Sequence, residues 1–113
     1  MNAIISKPRK LSEFEMQAEL YFRLRKLGLD VRGEVPSTHE NARSFFDLVV
    51  FHGHHGAVII EVKNSPADAL RNGKKTRQNL KYKAYDLPLV YYTTATPIDS
   101  VIAEIQRHLE SLE

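Results

Sequence analysis

The chain has 113 residues, a length suited to one domain with its own hydrophobic core and no need of covalent staples. It contains no cysteine, which excludes a disulfide framework and leads to the expectation of a reducing, cytoplasmic setting. The formal net charge of +2 is too small to indicate a partner, and no apolar run is long enough for a signal peptide or a membrane span, so a soluble protein with no membrane partner is expected.

Residues 1–10 read as a loose arm on a single domain spanning 1–113. Ser12 followed by Glu15 is a capping box, and Gly28 is a suitable helix stop, so a helix is predicted over Glu13–Leu27. At about 100° per residue, Met16, Leu20, Leu24 and Leu27 share an apolar stripe, widened by Phe14, Ala18 and Tyr21. Glu15, Glu19, Arg23 and Lys26 fall on the wet side. Glu13 and Gln17 lie inside the apolar arc, where polar groups need partners, and are therefore candidates for a site.

"DVRGEV", Asp30–Val35, reads as a strand closed by Pro36 and the polar loop "STHENAR". Two further strands are predicted at Phe45–Phe51 and Ala57–Lys63. Beyond Pro66 a helix is predicted from about Thr76 to Tyr85, then a buried strand over Leu87–Thr94. Thr96 can cap a last helix with Pro97 at its first position and Ile98, Val101, Ile102, Ile105 and Leu109 as its apolar stripe. The order α-β-β-β-α-β-α implies an α/β protein of the α+β kind, with a mixed sheet and helices on its faces.

The hairpin between the second and third strands carries the chemistry. A turn centred on His54, freed by Gly53 and Gly56, sets Phe51 opposite Ala57, Val49 opposite Ile59 and Asp47 opposite Glu61. Opposed carboxylates repel, so the pair needs a cation or a shared proton. Lys63, two residues beyond Glu61, points to the same face. An oxygen-rich site of this kind suits Mg²⁺ or Mn²⁺, which takes one or two carboxylates together with water and phosphate oxygens. Metal-dependent phosphodiester hydrolysis fits. His52, His54 and His55 sit too close in sequence to converge on one ion and read as an exposed hairpin tip. From Lys63 to Lys83 the chain carries Lys63, Arg71, Lys74, Lys75, Arg77, Lys81 and Lys83 against the single acid Asp68, a basic segment that attracts phosphate.

The spacing D-x13-E-x-K, formed by Asp47, Glu61 and Lys63, resembles the PD-(D/E)XK nuclease superfamily, as does the α-β-β-β-α-β order from Ser12 to about Thr94. Phe46 stands where the signature has proline. The resemblance implies a restriction-endonuclease-like core with a C-terminal helix added. It further implies that Asp47 and Glu61 bind the metal and that Lys63 assists the attacking water. A first-helix acid often completes such sites, which points to Glu13, with Glu19 as the alternative. "QNLKY" resembles the Q-x3-Y motif of RecB-like members, implying that Gln78 orders the site and that Tyr82 shares its helix face with Lys81. The resulting expectation is a Mg²⁺-dependent DNA nuclease, acting as an endonuclease and as a homodimer or part of a larger assembly. Lys74, Lys75, Arg77, Lys81 and Tyr82 would contact nucleic acid. The rival is a catalytically inactive nucleic-acid-binding module on the same fold.

Overall fold

The computed structural model describes residues 4–36, 45–65 and 86–112. The loop expected after Pro36, the helix expected over Thr76–Tyr85, and Lys74, Lys75, Arg77, Gln78, Lys81 and Tyr82 lie outside the described residues. The elements are α1 (Glu13–Lys26), β1 (Asp30–Pro36), β2 (Phe45–His52), β3 (His55–Lys63), β4 (Leu89–Thr93) and α2 (Ile98–Glu110). The four strands form one sheet in the order β1-β2-β3-β4. The β1–β2 and β2–β3 pairs are antiparallel and β3–β4 is parallel, so the protein is α+β with a mixed sheet. Parallel neighbours require a long crossover, and the stretch between Lys63 and Leu89 has the length for one.

The apolar side chains form two clusters on the two sides of the sheet, following alternation except at Phe46 and Val35. Val31, Leu48, Val50, Val58, Ile60, Val62, Val90 and Tyr92 pack with Met16, Leu20 and Leu24 of α1 and Val101 and Ile105 of α2. Phe46, Val49 and Ile59 form a second cluster with Val35, Phe51, Leu87 and Leu89. β3 is buried along nearly its whole length, as befits a central strand covered on both faces.

Helix α1 starts as its sequence predicts. Ser12 Oγ accepts the Glu15 N–H at 3.2 Å, and Glu15 Oε1 accepts the Ser12 N–H at 3.1 Å. Leu27 is the C-cap and Gly28 follows at φ +85°, a left-handed conformation that glycine adopts without strain. The apolar stripe is narrower than predicted. Met16, Leu20 and Leu24 are buried, but Phe14 is 79 % exposed, Leu27 is 53 % exposed, and Ala18 and Tyr21 are exposed. For Phe14, Ala18 and Tyr21 the reason lies in β1: Gly33 has no side chain to fill the space beneath that flank, leaving a hollow of about 180 Å³ lined by these three residues with Gln17, Gly33 and Leu48. Cations cover two of the exposed rings of α1, with Arg25 Cζ 5.4 Å from the Tyr21 centroid and Lys26 Nζ 5.7 Å from that of Phe22.

Helix α2 also departs from its predicted start. Pro97 occupies the N-cap and no side chain caps the helix. Thr96 Oγ1 instead lies 3.3 Å from Thr93 Oγ1, which also accepts the Ala95 N–H at 3.2 Å, so its hydroxyl serves the turn after β4. Val101 and Ile105 are buried, and Ile98, Ile102 and Leu109 pack at the margin of the core. Neither described helix is long and apolar enough to cross a membrane.

The narrow α1 seam gives a direct comparison. Leu20→Ala should lower unfolding stability by about 2–5 kcal/mol, as for other fully buried leucines. Phe14→Ala should change it by no more than about 0.5 kcal/mol, the usual range for an exposed position. Urea denaturation of both variants checks this, and equal losses would show that Phe14 belongs to the core.

Candidate functional site

The site is built where β2 and β3 part. Their loop is the two-residue Gly53–His54 turn between His52 and His55, with Gly53 at φ +64°. Phe51 pairs with Gly56, not with Ala57 as predicted, and a bulge between Val50 and Phe51 shifts the register. A two-residue turn with glycine at positive φ suits the twist of paired strands, and the bulge absorbs the extra residue, Ala57, without turning the buried alternation inside out. Below the bulge the pairs are Val50–Val58, Val49–Ile59 and Leu48–Ile60, as the predicted register requires. The register ends there, one step short of the predicted Asp47–Glu61 pair. By alternation from Ile59, Glu61 and Lys63 share its face, on the side of the sheet away from α1 and α2; the alternation of β2 breaks at Asp47, since Phe46 packs with Val49 and Ile59 and not with Leu48 and Val50. The loop histidines, His52, His54 and His55, are exposed.

The strands separate at this step, and the Asp47 side chain spans the gap. Its Oδ2 accepts the backbone N–H of Val62 at 2.8 Å, a charge-assisted bond taking the place of a ladder hydrogen bond. Among the described residues Asp47 Oδ1 has no hydrogen-bond partner. Glu61 is only 2 % exposed. Burying a carboxylate is costly, which sets it apart from the apolar side chains that otherwise fill β3. The ion pairs among the described residues join Arg23 to Glu19 and Asp99, Arg32 to Asp30, and His108 to Glu104; the half-buried Lys63 takes part in none of them.

The two polar residues on the inner arc of α1 reach this region by different routes. Gln17 Nε2 donates to the Asp47 carbonyl at 3.1 Å and to Glu34 Oε1 at 3.4 Å. It does so where the β1–β2 ladder is interrupted: Gly33 pairs with Leu48 and Val35 with Phe46, but the Glu34–Asp47 pair between them is missing. Glu34 has φ +52°, a left-handed conformation that costs a residue with a Cβ about 1–2 kcal/mol. Glu13 is exposed, and its Oε1 accepts the Asn64 N–H at 3.3 Å. The Asn64 carbonyl accepts from Lys10 Nζ at 3.1 Å and from Thr94 Oγ1 at 3.4 Å. Asn64, immediately after Lys63, thus gathers the start of α1, the arm before it and the end of β4.

The alternative first-helix acid, Glu19, lies elsewhere, 3.4 Å from Arg23 on the exposed side of α1. Glu13 reaches the end of β3, yet among the described residues no three acidic or histidine side chains are gathered closely enough to hold a metal ion. The predicted nucleic-acid contacts and Gln78 fall outside the described residues.

Sequence reasoning passed over Tyr91, whose neighbour is set by parallel pairing. Glu61 and Tyr91 are register partners, as are Lys63 and Thr93. Burial pushes the Tyr91 phenol above its ordinary value, and the negative charge of Glu61 adds in the same direction. Tyr92, on the helix side, is also raised, chiefly by burial, with Glu19 adding and Arg23 opposing. Two adjacent tyrosines in a β-rich run were visible in the sequence, but nothing local indicated which strand would lie beside them.

Compared with protein-family models, with curated proteins and with solved structures, the chain matches none.

Two outcomes follow. Gln17→Glu places an acceptor where the Asp47 carbonyl and Glu34 need a donor; it should cost about 1–3 kcal/mol, read as a lower urea midpoint, and an unchanged midpoint would show that the bond is idle. A phenol that holds its proton more tightly when folded contributes stability that is intact below pH 10, the ordinary value, and is lost as pH climbs through the raised folded value. The melting temperature should therefore fall above pH 10, and less steeply in Tyr91→Phe, with Tyr92 supplying the remainder.

Proposed function

We propose that the protein is a divalent-metal-dependent DNA endonuclease of the PD-(D/E)XK superfamily, on a restriction-endonuclease-like fold. The observation that carries this reading is the fork between β2 and β3. There the Asp47 carboxylate is held against β3 by the Val62 N–H, next in the chain to the buried Glu61, with Lys63 on the same face as Glu61 and joined to neither acid by an ion pair. The donor set fits a hard cation: two carboxylates on adjacent strands, one oxygen of Asp47 oriented by Val62 and the other facing no described donor. Mg²⁺ or Mn²⁺ completes its shell with water and phosphate oxygens, so a cluster of three acids is not required. Glu13, at the rim, would support the ion through water.

When bound, such an ion supplies Lewis-acid stabilisation of the phosphate and a more acidic water. In the proposed reaction the oxygen of water bonds to phosphorus, one P–O ester bond breaks, and a phosphate monoester and a hydroxyl are left. Asp47 and Glu61 fix the negative pole of the site, and the Lys63 ammonium places the water and opposes the charge growing on phosphate. Gln78 is assigned to ordering the site, and Lys74, Lys75, Arg77, Lys81 and Tyr82 to gripping the backbone, on the strength of the sequence pattern. A domain of this size offers little surface to a duplex, and the proposal therefore includes a homodimer or larger assembly.

The purified protein should cut supercoiled plasmid, branched DNA or single strands with Mg²⁺ or Mn²⁺ and not with EDTA. Glu61→Gln and Lys63→Ala should each lower the rate at least about a hundredfold, the typical contribution of a positioned acid–base group. Metal should also raise the melting temperature of the wild type and not of Glu61→Gln, since only a protein that binds the ion gains from mass action. Nucleic acid bound but left intact with every metal would overturn the enzyme in favour of a binding module.

A further inference from the structure

The residues before α1 look dispensable, because Ile4 and Ile5 are 90 % and 95 % exposed and everything from Ile4 to Lys10 faces solvent. Their attachment and charge say otherwise. Lys10 Nζ donates to the carbonyl of Asn64 at 3.1 Å, so the arm is fastened to the residue after Lys63, at the rim of the carboxylate pair. Two residues later Ser12 and Glu15 lock the start of α1, and Glu13 holds the N–H of the same Asn64. The arm therefore leaves the body of the protein at a fixed point beside the site. Between Ile4 and Ser12 it carries Lys7, Arg9 and Lys10 and no acid.

Lys7 and Arg9 are exposed and engage no described acid. Pro8 separates them; it fixes its own φ and biases Lys7 toward extended backbone, which disfavours a helical fold-back. Lys7 is three residues upstream of the anchor, within about 10 Å of chain, since each extended residue spans about 3.3–3.6 Å. Two cations without acidic neighbours, held near a site that would act on a phosphodiester, form an electrostatic match for a polyanionic backbone.

We infer that Lys7 and Arg9 form a phosphate clamp that holds the nucleic-acid backbone where it enters the site, with Lys10 as its tether. The inference rests on the proposed reading of that site as one that takes nucleic acid. Phosphate contacts of this type carry no sequence information; they position the strand and make binding depend on salt.

The test is the salt dependence of binding to a fluorescent duplex, measured by anisotropy in EDTA so that no cutting intervenes. Each phosphate contact contributes about 0.9 to the slope of log affinity against log salt for B-form DNA. Lys7→Ala/Arg9→Ala should therefore reduce the slope by up to about 1.8 and weaken binding most at low salt. Lys7→Arg/Arg9→Lys should restore both, and Arg107→Ala, on exposed α2 surface, should leave the slope as in the wild type. An unchanged slope and affinity in the double alanine variant, with the wild type binding well, would overturn the clamp and leave the nuclease reading standing. No binding by the wild type to duplex, branched or single-stranded DNA or RNA would overturn both. Arm-dependent binding to anionic phosphatidylserine vesicles with no effect on the duplex slope would assign the arm to a membrane surface and overturn the clamp.

Discussion

The antiparallel register of β2 against β3 is the constraint on which the proposed site depends. Because side chains alternate with a period of two, a slip of one residue would turn the buried side chains of one strand to the wrong face and carry Asp47 away from the Val62 N–H. The register is enforced by burial along the hairpin: Leu48, Val50, Val58 and Ile60 must all meet the helices, and Val49 and Ile59 must meet the opposite cluster. The bulge at Val50–Phe51 lets the tip adopt the turn it favours without disturbing that arrangement. Turn chemistry and site chemistry are thereby uncoupled within one hairpin.

Regular pairing stops at Leu48–Ile60, and side chains take over the bonds that backbone groups would make. Asp47 Oδ2 holds the Val62 N–H, Gln17 Nε2 holds the Asp47 carbonyl, and Glu13 with Lys10 holds both backbone groups of Asn64. The first of these bonds still joins β2 to β3, through a side chain, and the others tie Asp47 and Asn64 to α1 or the arm. The backbone N–H of Val62, the carbonyl of Asp47 and both backbone groups of Asn64 are thereby satisfied without regular pairing. The costs of the fork are visible nearby in the left-handed Glu34, the interrupted β1–β2 pairing and the burial of Glu61.

Surface electrostatics around the fold is of a different kind. The Arg23 contacts to Glu19 and Asp99, at 3.4 and 3.2 Å, link α1 to α2 but are exposed, and such pairs contribute about 0–1 kcal/mol. The helices are held to the sheet by Met16, Leu20, Leu24, Val101 and Ile105, whose burial excludes water.

Much of this was legible in the sequence because it depends on neighbours in the chain. The capping box of α1, the stop at Gly28, the positions of the four described strands and the shared face of Glu61 and Lys63 all follow from spacing over a few residues. The width of the α1 stripe, the cap of α2 and the pairing of Phe51 did not. They turn on a hollow above Gly33, a hydroxyl drawn into the β4 turn and a bulge that only the competing demands of turn and core produce. The convergence of Gln17 on Asp47, of Glu13 and Lys10 on Asn64, and of Tyr91 on Glu61 was decided by tertiary structure alone. Local periodicity fixes which way a side chain points, but what it meets depends on strand order and crossover, which bring together residues dozens of positions apart.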